Sequence, residues 1–436
     1  MQASALLQSI ANARLADFTG EIISIGQKSF TANGPHCRVG EVCEFGDRSN
    51  PSLAEVVAVG ERQIDLVPLG GMHEVKPGAR ITLSHQRSGF VVGDAFAGRA
   101  VNAFGQPIDG GAPVLGQVEK PRTAQTSMAK TIVPKRVETG VRAIDTLLPL
   151  AQGQRIGVFA ASGVGKTTLV EQLSSRVACD KVVVCLIGER GREVERLWSI
   201  HTKSQGSAPI TLVAATSDES PSVRIRAMKQ ALALCEYWRE RGEHVVFFVD
   251  SVTRLAMALR DIGLAAGEPP ALRSFTPNVF TALPEFVERC GAIAGKGAIT
   301  AIFTVLSETD DVDDPIVETM RSLLDGHIVL SRKLAERGHF PAIDVRASIS
   351  RVADQVLSDT SQTTALALKA SLAVYEESRA MIESGLYQAG ANSEIDNAIS
   401  LWPQIQRFLV QQGDKPSSLA ESDAAVRQCV SQGGAL

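Results

Sequence analysis

The chain of 436 residues contains no run approaching the ~18 uninterrupted apolar residues that a membrane-spanning helix needs. Its first residues also lack the basic, then apolar, then small-residue order of a secretory leader, so a soluble, cytoplasmic protein is expected. Its seven cysteines are odd in number, lie far apart and include no C-x-x-C pair. That excludes a disulfide framework and a structural zinc site, and Cys185, inside an apolar run, reads as a small core residue. Charge of one sign is not in excess: the net value is −4, giving no global attraction to nucleic acid or an acidic membrane surface. Aromatics make up only 5% of the chain, with Phe18, Phe30 and Phe45 the only phenylalanines before Phe90. Bases would have little to stack on in that part of the molecule, which argues against nucleic-acid binding there. Internal repeats and low-complexity segments are absent as well.

Composition is that of an ordinary globular protein, 44% hydrophobic and 21% charged, with length for two or three domains. The first ~17 residues carry a weakly amphipathic pattern (Leu6, Leu7, Ile10, Leu15) suited to contacts rather than to a core. From Thr19 to Leu83, short β-prone pieces (21–25, 40–45, 54–59, 64–68, 80–83) alternate with turn clusters, as in a small barrel. A linker-like section with Gly105-Gln106-Pro107 and Asp109-Gly110-Gly111 leads through Pro134 to VETGVRAID at 137–145. Strands and helices then alternate to about Val345. The strands at 155–160, 181–187, 210–215, 244–249 and 298–306, with 328–330 as a further candidate, are continuous apolar runs. Such runs imply burial on both faces and a parallel sheet wrapped by helices. The rest reads helical, at 363–383 and 396–412, and the Ser-, Gly- and Ala-rich tail after Gly413 is expected to be loosely held.

The chain is organised around Arg155 to Val170, RIGVFAASGVGKTTLV. An apolar strand gives way to Ser162, Gly163, Val164 and Gly165, and Lys166-Thr167-Thr168 opens a helix. Backbone N–H groups there converge on an anion at the positive end of a helix dipole. Lys166 would reach the β- and γ-phosphates of a nucleoside triphosphate, and the Thr167 hydroxyl would ligate Mg²⁺. Ala160 stands where glycine is usual, at the end of the strand rather than against phosphate. Asp250 ends the run HVVFFVD, which in an open parallel sheet puts it at the same carboxyl edge, where it would hold Mg²⁺ through water with Thr167. Glu189, after VVVCLIG, shares that edge. It can orient the attacking water, or it can pair with Arg190 or Arg192 on a charged loop. By position alone Arg351 is a solvated arginine near a helix start, or a loop-delivered finger. Phe340 before Pro341 is a core aromatic or a flat surface for a base. The Gly- and Pro-rich loop 263–279 and the acidic loop 308–314 read as solvated segments unless they face a pore.

Six motifs in one order closely resemble the export ATPases of type III secretion systems and the bacterial flagellum, relatives of rotary ATP synthase catalytic subunits. They are VETGVRAID, AASGVGKTT, IGERGREV, VDSVTRLAMALRDIGLAAGEPP, LLDGHIVLSRKLAERGHFPAID and SISRV. The match extends more weakly to both ends of the chain, including GLYQAGANSEIDNAI. The resemblance implies an α/β fold: a RecA-like P-loop NTPase core with a parallel sheet, an N-terminal small β-barrel and a C-terminal helical domain. The domains expected are an oligomerisation segment (1–17), barrel (18–85), nucleotide-binding domain (86–346) and helical domain (347–436). Glu189 matches the family's catalytic glutamate and Arg351 its arginine finger, which reaches a neighbour's γ-phosphate. Phe340 takes the adenine-stacking position, usually Tyr. Loops 263–279 and 308–314 correspond to loops facing the ring interior, although Arg273-Ser274-Phe275 and Thr309 depart from the usual residues.

The resemblance thus implies a homohexamer hydrolysing Mg²⁺-ATP to energise chaperone release, unfolding and delivery of export substrates. Its partners would be a central stalk protein, a negative-regulator or peripheral stalk protein, an export-gate membrane protein, and export chaperones with their substrates. Nucleic acid is not among them, and the ring would associate peripherally with the cytoplasmic face of the inner membrane. Three other readings are opposed by the sequence. A rotary synthase subunit is opposed by Glu189 and Arg351 occurring on one chain. A nucleic-acid translocase is opposed by the poverty of aromatics, and a non-hydrolysing nucleotide sensor by Glu189 and Asp250 being present.

Overall fold

A computed structural model describes residues 19–47, 51–70, 75–84, 88–120, 130–131, 133–203, 208–307 and 314–431. The amphipathic segment 1–17 and residues 308–313 of the acidic loop lie outside the described residues. None of the described helices is long and apolar enough to cross a membrane.

Six strands close a barrel in the order β1-β2-β5-β4-β3-β6: β1 (Thr19–Ile25), β2 (Phe30–Ala32), β3 (Val42–Phe45), β4 (Ser52–Val59), β5 (Ile64–Pro68) and β6 (Arg80–Leu83). Closure leaves no exposed strand edge. Alternate side chains (Ile22, Phe30, Cys43, Phe45, Val56, Leu66, Ile81) fill the interior, with Phe30 edge-on to Phe45 at 5.3 Å. Strand β2 was not among the expected strands, because three residues between turns are too few to show alternation. The barrel is seated on the rest of the chain. Val42, pointing the other way from Cys43, belongs to the large core beyond, and Lys229 Nζ lies 3.1 Å from Glu55 Oε1.

The section read as a linker is instead folded into the molecule. Strand β7 (Phe90–Val92) pairs with β9 (Gln117–Glu119), while β8 (Ala100–Asn102) joins the edge of the main sheet beside the later strand at 210–216. Arg99 donates two hydrogen bonds to Asp109, at 2.6 and 2.9 Å, so the glycine-rich turn is fastened to β8. Glycines there serve a tight turn, and their number masked the ordered backbone around them.

After β10 (Lys130–Thr131), β11 (Val133–Val137) and β12 (Leu150–Gln152) come the sheet strands β13 (Arg155–Ala160), β14 (Lys181–Glu189), β15 (Ile210–Thr216) and β16 (His244–Asp250). They are followed by β17 (Gly291–Ile293), β18 (Ala298–Leu306), β19 (Gly326–Leu330) and β20 (Ile343–Ser350). The order across the main sheet is β20-β19-β13-β18-β16-β14-β15-β8, parallel throughout except that β20 runs antiparallel to β19. All seven residues of β16 are buried, as expected of a strand covered on both faces. Strand β20 stays paired to β19 through Ser350 opposite Gly326.

Helices at Asp359–Glu383 and Ser393–Leu409 form the C-terminal part and pack together, with Tyr375 stacked on Trp402 at 3.9 Å and 8°. The tail corrects the expectation of loose attachment. Leu419–Ser431 is a third helix, with Val426 and Cys429 buried on one face, three residues apart. Arg136 of β11 donates to both oxygens of Asp423 at 2.8 and 3.0 Å, and Leu419 N donates to Glu138 Oε2 at 3.1 Å. Small residues around it gave the segment a disordered composition while two apolar positions sufficed to dock it. Val426→Asp, which places a carboxylate in that contact, should cost about 3 kcal/mol. Urea unfolding measures the loss, and an unchanged midpoint would mean that the helix is not docked.

A candidate active site at the carboxyl edge of the sheet

In a parallel sheet the carboxyl ends of all strands open onto one edge, and here β13, β14 and β16 end there at Ala160, Glu189 and Asp250. Beyond β13 the chain is anchored by buried Ala161 and Val164, while Ser162 and Gly163 remain exposed. Val164 therefore offers a ligand only its backbone. Gly163 and Gly165 have φ of 82° and 96°, in the left-handed region where a side chain is strained. Gly165 caps the helix Lys166–Arg176 and has no side chain to accept from the first-turn N–H groups. Those free donors, at the positive end of the helix, form an anion cradle.

Lys166 reaches across the cradle. Its Nζ donates to Asp250 Oδ1 and lies 3.9 Å from Glu189 Oε1. Asp250, 3% exposed, also accepts from Thr304 Oγ1 at 2.7 Å. Thr304 comes from β18, the strand between β13 and β16, so it braces the aspartate from the side. Glu189, 6% exposed, accepts from Arg254 Nε at 3.1 Å. Burial pushes its carboxyl pKa up, the Asp250 charge adds to this, and Lys166 and Arg254 oppose it. The shift in pairing register between Ile187 and Glu189 is made by Gly188 at φ 67°, where a Cβ would meet Arg254 Cδ at 3.0 Å. That irregularity aims Glu189 into the crevice.

The residues suit a divalent cation that brings its own ligands. Thr167, half-buried on the first turn, and Asp250 offer oxygen donors, and the fully buried Ser251 Oγ has no hydrogen-bond partner among the described residues. No cluster of three His, Cys, Asp or Glu occurs among the described residues. An ion at Thr167 and Asp250 would complete its shell with water and phosphate oxygens, which is the behaviour of Mg²⁺.

The ring of Phe340, 47% exposed, lies over the loop: a Cβ on Gly165 would stand 3.6 Å from it. Thr168, on the first turn, is exposed. Arg351 is not in this cluster. Its backbone N–H donates to Asp325 O at 3.0 Å, and the Asp325 carboxylate is bonded to Arg155 at the start of β13. Arg351 is thus at the amino edge, roughly 17 Å along the strand from the phosphate loop. The cause is the antiparallel run of β20, which has Phe340 before its first residue and Arg351 after its last. Two contributors escaped the sequence reading. Thr304 was signalled only by a hydroxyl inside an apolar strand, and Arg254 only by its place one helical turn beyond Asp250.

Residues 140–350 match the nucleotide-binding domain of the ATP synthase alpha/beta family, and residues 357–428 match the type III secretion EscN ATPase C-terminal domain. A flagellum-specific ATP synthase of Treponema pallidum is 40% identical over 398 residues, covering 90% of this chain and 89% of that protein. The assembled ATPase EscN of the enteropathogenic E. coli type III secretion system superposes with a TM-score of 0.89 at 39% identity, covering 94% of this chain and 100% of the other. EscN in complex with its central stalk EscO superposes with a TM-score of 0.85 at 37% identity, with coverage of 94% and 100%.

Lys166→Ala should weaken nucleotide binding. Glu189→Gln should keep binding and lower turnover by about 10²-fold or more, the outcome expected of a carboxylate that acts on the attacking water and not on the bound phosphates. Fluorescent-nucleotide titration beside a phosphate-release assay separates the two effects, and normal turnover by the glutamine variant would remove Glu189 from the reaction.

Proposed function

Since the chain belongs to the ATP synthase alpha/beta family, in its branch of flagellum-specific and type III secretion ATPases, we propose that it is a homohexameric Mg²⁺-ATPase that energises type III protein export. The observation that carries this reading is the separation within one chain: Lys166, Glu189 and Asp250 at one edge of the sheet, Arg351 at the other. A finger that cannot serve its own site serves a neighbour's, so turnover belongs to the ring.

In this reading the N–H groups of residues 162–168 and the Lys166 ammonium hold the β- and γ-phosphates. Phe340 stacks on the adenine, without the hydroxyl of a tyrosine. Glu189 polarises the water that attacks the γ-phosphorus and takes up its proton as the bond to the β-phosphate oxygen breaks, giving ADP and phosphate. Burial makes Glu189 a stronger base than an exposed carboxylate, and Arg254 holds it in one orientation. Thr167 and Asp250 would hold Mg²⁺, which would supply neutralisation of phosphate charge. Arg351 from the adjacent subunit completes the compensation of charge on the transferring phosphoryl group.

The work done would be chaperone release, unfolding of substrates and their delivery to an export-gate membrane protein, at the cytoplasmic face of the inner membrane. The complex of EscN with EscO supports a central stalk partner here, met by the loop 263–279 and the acidic loop 308–314. A regulatory or peripheral stalk protein is the further partner we expect. The match of 357–428 to the secretion-ATPase domain favours export over a rotary synthase role.

Arg351→Ala should bind ATP nearly normally and hydrolyse it ~10³-fold more slowly. Arg351→Lys should fail as well, since an ammonium lacks the forked guanidinium contact. Mixing Arg351→Ala with Lys166→Ala should restore activity, because some interfaces then pair an intact cradle with an intact finger. Specific activity of the wild type should climb with protein concentration. Full activity in dilute monomer would defeat the proposal.

A further inference from the structure

Gln411 joins the helical part of the chain to two separate stretches of the nucleotide domain. It stands two residues beyond the helix Ser393–Leu409 and is half-buried. Both ends of its side-chain amide are engaged. Oε1 accepts from Arg142 N at 2.9 Å, while Nε2 donates to Gly140 O and to Lys415 O, both at 2.8 Å. All three partners are backbone groups with fixed roles, so the amide can sit only one way round. The stretch it grips is itself fastened. Asp145, fully buried, accepts from Thr139 N at 2.9 Å, Thr139 Oγ1 at 2.6 Å and Gly140 N at 3.1 Å. Held in that place, the backbone N–H of Gln411 donates to Phe340 O at 2.9 Å. Phe340 needs such an anchor. Its ring is 47% exposed and lies over Gly165, where an added Cβ would stand 3.6 Å from it. A ring so exposed is placed by its backbone rather than by side chains packed around it.

We propose that Gln411 is a positioning residue for the nucleobase: its amide fixes the backbone that carries Phe340 over the phosphate loop. This rests on the reading of Phe340 as the surface on which adenine stacks. The bond to Phe340 is made by the main chain, but the amide decides where that main chain lies. Stacking needs the ring face to face with the base, so a displaced Phe340 loses it while the loop and Lys166 still hold the phosphates. None of the hydrogen bonds of the Gln411 amide goes to the cradle, Glu189 or Asp250. Gln411 therefore sets how tightly the nucleotide is held and not how fast its bond breaks. Leucine, similar in size, makes none of these bonds. Glutamate keeps the acceptor for Arg142 N–H but turns an oxygen with no proton toward two carbonyls.

The test is a double-mutant cycle on the full chain, with kcat and KM for ATP taken from phosphate release and assembly checked by ultracentrifugation. Gln411→Leu should raise KM about tenfold, the order that one base–aromatic stack is worth, with kcat within about twofold of wild type. Phe340→Ala should raise KM at least as far. The two together should be no worse than Phe340→Ala alone, because no ring is left to misplace. Gln411→Glu should give the same pattern, and it takes the place of the leucine variant if that one does not assemble. An unchanged KM in the Gln411 variants would overturn the proposal. So would a fall in kcat as large as the rise in KM, or a double variant whose KM rises by the product of the two single effects. Those are the marks of a structural role unconnected with Phe340. If Phe340→Ala leaves KM unchanged, the base-stacking reading itself fails and the inference falls with it.

Discussion

The hydrogen-bonded ion pair from Lys166 to Asp250 is the interaction on which the site depends. It joins the phosphate loop after β13 to the end of β16, two places away in the sheet, and the strand between them contributes Thr304 to the same Asp250 oxygen. A buried carboxylate is costly unless it is paired and hydrogen-bonded, and both conditions are met by side chains from three different strand ends. Removing any one of them leaves the others with uncompensated charge or an unmade hydrogen bond. Glu189 hangs on the same group through Lys166, with Arg254 as its second support.

How far all this could be read from the sequence depended on which physical signal was local. The strands buried on both faces declared themselves as apolar runs, and the phosphate loop declared itself by glycine, lysine and threonine after a strand. Strand β2 and the helix at 419–431 did not, since one is too short to show a period and the other docks by few apolar side chains in a segment rich in small residues. Thr304 and Arg254 matter only through neighbours that the chain brings to them from 54 and 65 residues away. The reading of Phe340 and Arg351 came from resemblance to a family. Their separation follows from the direction of one edge strand, which no local pattern announces.

Phe340 and the stretch before β13 are tied to the helical part of the chain by hydrogen bonds to backbone carbonyls. Gln411 N donates to Phe340 O at 2.9 Å, Arg142 Nη2 donates to Val410 O at 2.6 Å, and Gln411 Nε2 donates to Gly140 O at 2.8 Å. Arg176, in the last turn of the phosphate-loop helix, donates to Gly413 O. The segment 410–413 thus touches the VETG stretch, the cradle helix and Phe340. A backbone hydrogen bond has little slack, so a shift of the C-terminal helices would be felt at Phe340.

Strand β20 is eight residues long and bonded along one side to β19. In the proposed ring, Phe340, at its near end, would stack on the base in its own subunit, and Arg351, at its far end, would reach toward the adjoining one. An extended strand is stiff along its length, so any sliding of β20 would be a single displacement felt at both Phe340 and Arg351. Six such strands around a ring would act as push-rods, each setting the phase of the next subunit by the state of its own. Firing in rotation, rather than independently, would then rest on one edge strand and its polarity.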